Sequence, residues 1–202
     1  MMDILIKNGT IIDGSGEKRY EGNIGIKDGK IEIIGCCCEK EAKKIIDAEG
    51  LIVTPGFIDF HSHSDVTLLY ETRATNMLKQ GITTELTGHC GMTLAPKVDE
   101  IFSMIKPFFD EEKYEQLGKI SETVSGFLSY IEKSKLGTNV GFFVGHGAVR
   151  GKVLGFENRK STEEELEKMK DIVREAMEAG AFGMSTGLIY PPGVYADEDE
   201  LV

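Results

Sequence analysis

Pro55-Gly56-Phe57-Ile58-Asp59-Phe60-His61-Ser62-His63-Ser64-Asp65 is the stretch that decides the fold. A Pro-Gly break releases a short apolar run that stops abruptly in polar residues, the pattern of a buried strand in an α/β core. His61 and His63 stand two apart at or just past its end, so both imidazoles share one face and enter one cavity. Two imidazoles on one face are half a metal site. The bland alternative is a pair of hydrogen-bonded loop histidines. Position favours ligation, because the chain has four histidines in all and two lie here, with Asp65 just behind them.

The same unit recurs downstream. Residues 71–80 read as a helix carrying Met77 and Leu78 and ended by Gly81, and Ile82–Thr87 form a β-branched strand closing on Gly88-His89-Cys90-Gly91. Residues 98–136 hold helical patterns interrupted by Pro107 and Gly118, and Val140–Val144 form a third strand ending in Gly145-His146-Gly147. Ser161 with Glu164 three residues on predicts a capping box. The helix it opens carries a stripe of Leu166, Met169, Val173, Ala176 and Met177 and stops at Gly180, after which Ala181–Met184 starts a fourth strand leading into Ser185-Thr186-Gly187.

Every polar cluster falls at the C-terminal end of a strand, where ligands bind in parallel α/β sheets. The first βα turn carries His-x-His in place of a Gly-x-Gly-x-x-Gly fingerprint, which favours a (β/α)8 barrel over an open doubly wound sheet. A complete barrel takes roughly 250 residues. Residues 55–202 offer four strands of the eight, and the final Tyr195–Val202 reads as an acidic helix start with no helix after it. The expectation is a truncated or incomplete chain holding the first half of a barrel.

Upstream, residues 3–53 read as β-structure. Ile4/Ile6, Ile24/Ile26 and Ile31/Ile33 alternate with polar neighbours, and Lys27-Asp28-Gly29-Lys30 predicts a hairpin turn. Asn8-Gly9 and Asp13-Gly14 predict two more turns. The chain therefore divides into a small β-segment, 1–54, and a barrel half, 55–202.

Charge narrows the partners. The 23 basic and 34 acidic side chains of the 202 residues leave a net −11, which argues against a nucleic-acid backbone and against a polybasic membrane patch. The N-terminus lacks the order of a signal peptide, and no apolar run approaches the roughly 20 residues that span a bilayer. A cytoplasmic protein with reduced thiols is expected. Of the four cysteines, Cys36-Cys37-Cys38 are adjacent, point to alternate faces and read as neutral.

Cys90 occupies the position after the second strand that His61 and His63 occupy after the first. Its thiolate can serve as a soft third ligand, or its side chain can be a small buried hydrophobe. His89 is the weaker candidate, since in a regular strand it faces the other way. His146, between two glycines, can approach the metal, bond substrate or sit as a turn histidine. Arg150 can attract a carboxylate. Ser185 and Tyr190 belong to a proline-stiffened loop that either walls a substrate pocket or caps the barrel.

Pro55–His63 resembles the first-strand signature of the amidohydrolase superfamily, and the N-terminal segment resembles its small β-sandwich domain. Gly88–Pro96, Val144–Arg150 and Gly183–Gly193 resemble, in order, the D-aminoacylase (N-acyl-D-amino-acid deacylase) family. The resemblance implies a zinc enzyme, with one or two ions, that hydrolyses the amide of an N-acyl-D-amino acid. His61 and His63 match its histidine pair and Cys90 its cysteine ligand. It also implies that further histidine ligands and the catalytic Asp come from later strands, so no catalytic residue is assigned within this chain.

Two rivals stand beside this reading. A cyclic amidohydrolase of the dihydroorotase or hydantoinase type typically carries a bridging lysine at the fourth strand, and residues 181–190 contain none. The other rival is an inactive half barrel, or a subunit that needs a complementary chain. Its open strand edge would drive self-association.

Overall fold

The computed structural model describes residues 1–35 and 41–202. Cys36–Cys38 lie outside them. The chain separates into two compact units, Met1–Gly56 and Phe57–Val202.

In the first unit the isoleucine alternation builds one sheet. Strands β1 (Met2–Ile11), β2 (Tyr20–Lys27), β3 (Lys30–Gly35) and β4 (Ala42–Asp47) lie in the order β3-β2-β1-β4, and β5 (Ile52–Val53) also pairs with β1. The β2–β3 hairpin turns at Asp28 and Gly29, both with positive φ (51° and 74°), as a type I′ turn requires. Asn8-Gly9 is not a turn. Asn8 takes φ 60° inside β1, and the β1–β2 register shifts between Ile6 and Gly9, so the residues that suit a turn here form a bulge. Met2, Leu5, Ile11, Ile24 and Ala48 are buried in this unit.

The second unit is a mixed α/β structure around a four-stranded parallel sheet, ordered β6-β7-β8-β9: β6 (Phe57–Asp59), β7 (Ile82–Thr87), β8 (Asn139–Gly145) and β9 (Gly183–Ser185). β6 is not the buried strand its apolar sequence predicts. It is an outer strand of this sheet, and Ile58 and Phe60 are 64% and 65% exposed.

Helices α1 (Thr75–Leu78), α2 (Asp99–Phe102), α3 (Glu111–Ile120), α4 (Val124–Lys133), α5 (His146–Leu154), α6 (Glu163–Glu178) and α7 (Glu198–Leu201) fill the connections, with a 3₁₀ turn at Ser103–Phe108 that accommodates Pro107. The predicted 71–80 helix contracts to the single turn of α1, because Ala74 before it is left-handed (φ 47°). Gly118 does not interrupt α3; it is buried within it, facing Phe102. The capping box of α6 sits one residue later than predicted. Thr162 Oγ1 accepts from the Glu165 amide (3.3 Å), and Glu165 Oε2 accepts from the Thr162 amide (2.9 Å). Both registers fit the motif; Arg159, which donates to both Glu165 oxygens at 2.7 Å, selects the second.

The core lies between this sheet and its helices, with Phe102, Leu117, Val124, Phe127, Phe142, Val144, Val149 and Met169 buried together. Each such side chain contributes roughly 1.5–3 kcal/mol on burial. That packing fixes the strand positions, and hence the C-terminal edge on which the site stands.

Candidate metal centre

His61-Ser62-His63-Ser64 continues from β6 with alternating faces: both histidines are exposed, both serines buried. The Ser62 amide donates to the Leu86 carbonyl (3.0 Å) and so extends the pairing with β7 past the end of β6. The His61 amide donates to Asp59 Oδ1 (3.2 Å).

β7 ends in a tight loop. Gly88, Cys90 and Gly91 all take positive φ (82°, 58° and 70°), which turns the chain back and presents the Cys90 sulfur to the first strand. At Gly88 a side chain is excluded twice over, since a Cβ would collide with the Phe143 carbonyl oxygen. The result is convergence. His61 Nε2 lies 3.3 Å from Cys90 Sγ, and one donor atom from each of His61, His63 and Cys90 falls within 4.8 Å of the others.

Around a tetrahedral zinc with bonds of about 2.0–2.3 Å, neighbouring donors stand roughly 3.5 Å apart. The His61–Cys90 separation matches that spacing, and the widest pair needs only side-chain adjustment. Two imidazoles and a thiol are also the N and S donors that zinc prefers.

His89 does not face away. With the strand already ended, its ring stacks on His61 (centroids 4.3 Å, interplanar angle 19°) and approaches Phe143 at 5.0 Å. Its Nε2 is buried without a partner. Burial first, then the neighbouring His61 and His63, hold its pKa below the usual histidine range.

Ser185 and Tyr190 act on the loop that carries Cys90. Ser185 Oγ donates to the Gly88 carbonyl (2.5 Å) and accepts from the Gly91 amide (3.0 Å), while Tyr190 OH donates to the Cys90 carbonyl. Burial pushes the Tyr190 phenol up, which keeps it a donor. His146 is no turn residue. It opens α5, is 3% exposed, and pairs its Nε2 with Glu200 Oε1 at 2.8 Å. Arg150, fully buried, ion-pairs with the other Glu200 oxygen.

Glu200 and Glu85 are buried acids that motif reading passes over, whereas Asp65 is already visible behind the histidine pair. Glu200 hides in an acidic terminal run, Glu85 interrupts a β-branched strand, and Asp65 is pushed up to about 6 by burial.

A sequence model of the amidohydrolase family matches residues 44–201. The chain belongs to the amidohydrolase family. This amidohydrolase chain is 34% identical over 200 residues to the D-aminoacylase of Alcaligenes xylosoxydans xylosoxydans, across 99% of this chain and 40% of the relative. It resembles the crystal structure of N-acyl-D-glutamate deacylase from Bordetella bronchiseptica, complexed with zinc and a phosphonate inhibitor. There the TM-score is 0.85 and the identity 34%, over 99% of this chain and 41% of that one. Against a D-aminoacylase structure concerned with a binuclear metal centre the TM-score is 0.88 at 31% identity, covering 100% of this chain and 42% of the other. The chain thus spans about 40% of the length of the curated relative. Among the described residues no helix is long and apolar enough to cross a membrane.

Proposed function

We propose that the whole protein hydrolyses the amide bond of N-acyl-D-amino acids using zinc, one ion or two, with His61, His63 and Cys90 among its ligands. One observation carries this reading: two imidazoles and a thiol from successive βα segments converge within 4.8 Å at the C-terminal edge of a parallel sheet. The similarity to a D-aminoacylase and to an N-acyl-D-glutamate deacylase supports the substrate class.

Zinc, when bound, polarises an amide carbonyl and lowers the pKa of water towards about 7. The residues of this chain hold and shape the site. His61 and His63 supply imidazoles from one strand end. Ser185 and Tyr190 fix the backbone that aims Cys90, and the loop they anchor, 186–193, forms the substrate-facing wall. The helix that His146 opens, α5, packs against the 193–195 turn at the end of that loop. No carboxylate here is assigned the proton transfer to the leaving amine: Asp59 is engaged with the His61 backbone, and Asp65 is buried.

The reading extends to architecture. β6–β9 are the first four strands of a (β/α)8 barrel, spanning 55–202, and the 1–54 sheet is one layer of a small β-sandwich. Exposed Ile58, Phe60 and Phe182 on one sheet and Ile31, Ile45 and Ile52 on the other are faces that such a completion covers. The same exposure supports the second reading, in which this chain alone is inactive and self-associates or requires a complementary chain. A cytoplasmic setting with reduced thiols accords with a free Cys90.

Cobalt substitution tests the centre. A thiolate-to-metal charge-transfer band is expected in the loaded chain and its loss in Cys90→Ala; bound cobalt without that band removes Cys90 from the ligand set. Release of D- over L-amino acid from N-acyl substrates by the whole protein tests the reaction.

A further inference from the structure

The histidine face of the 61–64 segment has a reverse side. Ser62 and Ser64, interleaved with the histidines, point inward and are buried. The Ser62 hydroxyl bonds Ser64 Oγ (2.9 Å) and Glu85 Oε2 (3.4 Å), and the Ser64 amide donates to Ser62 Oγ (3.1 Å).

Glu85 is fully buried, and no basic side chain pairs with it among the described residues. Its second oxygen accepts from Thr138 Oγ1 at 2.7 Å. Three segments therefore meet on one carboxyl: the end of β6 through Ser62, β7 itself, and the entry to β8 through Thr138. Burying a carboxyl on hydroxyl partners alone is costly. The geometry shows what is obtained for that cost, because one end of the bridge is the residue between the two histidines. In a strand the faces alternate, so fixing the Ser62 side chain inward fixes both imidazoles outward.

We propose that Glu85 is a positioning residue for the metal centre, acting through Ser62 to hold His61 and His63 in a common orientation towards Cys90. The inference rests on the metal-centre reading above, and the test separates the two.

Imidazole resonances of His61 and His63 are recorded by long-range ¹H–¹⁵N spectroscopy in the metal-free full chain, and cobalt affinity is measured on the same samples. Ser62→Ala is expected to shift or split both ring signals and to weaken cobalt about tenfold, in the range that supporting partners of metal ligands command. Ser62→Thr, which keeps the hydroxyl, restores both. Thr138→Val cuts the other arm of the bridge and leaves the rings as in the wild type, although it lowers the melting temperature. Glu85→Gln, isosteric, reports from the far end and gives a partial form of the Ser62→Ala effect.

Wild-type ring signals in Ser62→Ala, or equal ring shifts in Thr138→Val, would show Glu85 to be a general strut between strands and overturn the proposal. A wild-type chain that takes up no cobalt sinks the metal-centre reading alone, since the metal-free ring signals still judge the tether.

Discussion

Replacing Glu200 by Gln takes a negative charge out of a cluster of buried side chains. The Glu200 side chain is 1% exposed, between those of Arg150 and His146, at 0% and 3%. Removing one member of a buried pair costs about 3–5 kcal/mol, because the other is left charged and desolvated. Arg150 retains two further bonds, to the carbonyls of Arg159 (2.5 Å) and Glu157 (3.4 Å), and Gln still offers a carbonyl oxygen. That places the expected loss near the lower end, about 3 kcal/mol. With an m-value of about 2–3 kcal/mol/M, the urea midpoint should fall by more than about 1 M. The paired change Arg150→Met with Glu200→Leu removes both charges and should cost less than Glu200→Gln alone, since well-packed apolar replacement of a buried ion pair is often near neutral. A loss below about 0.5 kcal/mol for Glu200→Gln, or a double variant less stable than the single one, would refute the view of this cluster as a desolvated pair.

Thr162→Ala should destabilise by about 1 kcal/mol while Ser161→Ala stays near the wild type, a difference read from urea midpoints that distinguishes the two registers of the capping box. Gly88→Ala forces a left-handed residue against the Phe143 carbonyl and should cost at least about 2 kcal/mol; it should also abolish the cobalt–thiolate band, and a variant that keeps both stability and band contradicts the loop geometry. Burial raises Asp65 to about 6 from its ordinary 3.8, so in metal-free protein its ionisation opposes folding: stability from this group is full below about pH 4 and is lost as pH rises towards 6, up to about 3 kcal/mol. Asp65→Asn should remove that fall relative to wild type in unfolding curves between pH 4 and 7.

The meeting of His61, His63 and Cys90 is legible because alternation and strand ends are properties of short stretches: His61 and His63 two apart, Cys90 at the matching place one unit later. What escaped depends on distant partners. A regular strand would turn His89 away, whereas the positive-φ residues that flank it, Gly88, Cys90 and Gly91, end the strand and its imidazole stacks on His61. His146 between glycines reads equally as a ligand, a substrate contact or a turn residue; it opens a helix, and its ring pairs with Glu200, 54 residues on. Ser161-x-x-Glu164 and Thr162-x-x-Glu165 are equivalent as motifs, and only Arg159 in space separates them. Asn8-Gly9 carries turn chemistry that the sheet spends on a bulge. Tertiary contacts arbitrate where local preference is degenerate.

The bonds that lock the Cys90 loop have an order in time. Its carbonyls and amides are held by Ser185 and Tyr190, some 97 and 100 residues from their acceptors at Gly88 and Cys90. A growing polypeptide that has delivered both imidazoles and the sulfur has therefore not yet delivered what steadies the sulfur. Loop closures of that length come late and slowly. That order predicts that metal uptake follows the architecture rather than seeding it, so a chelator present during refolding should block loading without delaying the appearance of helices and strands.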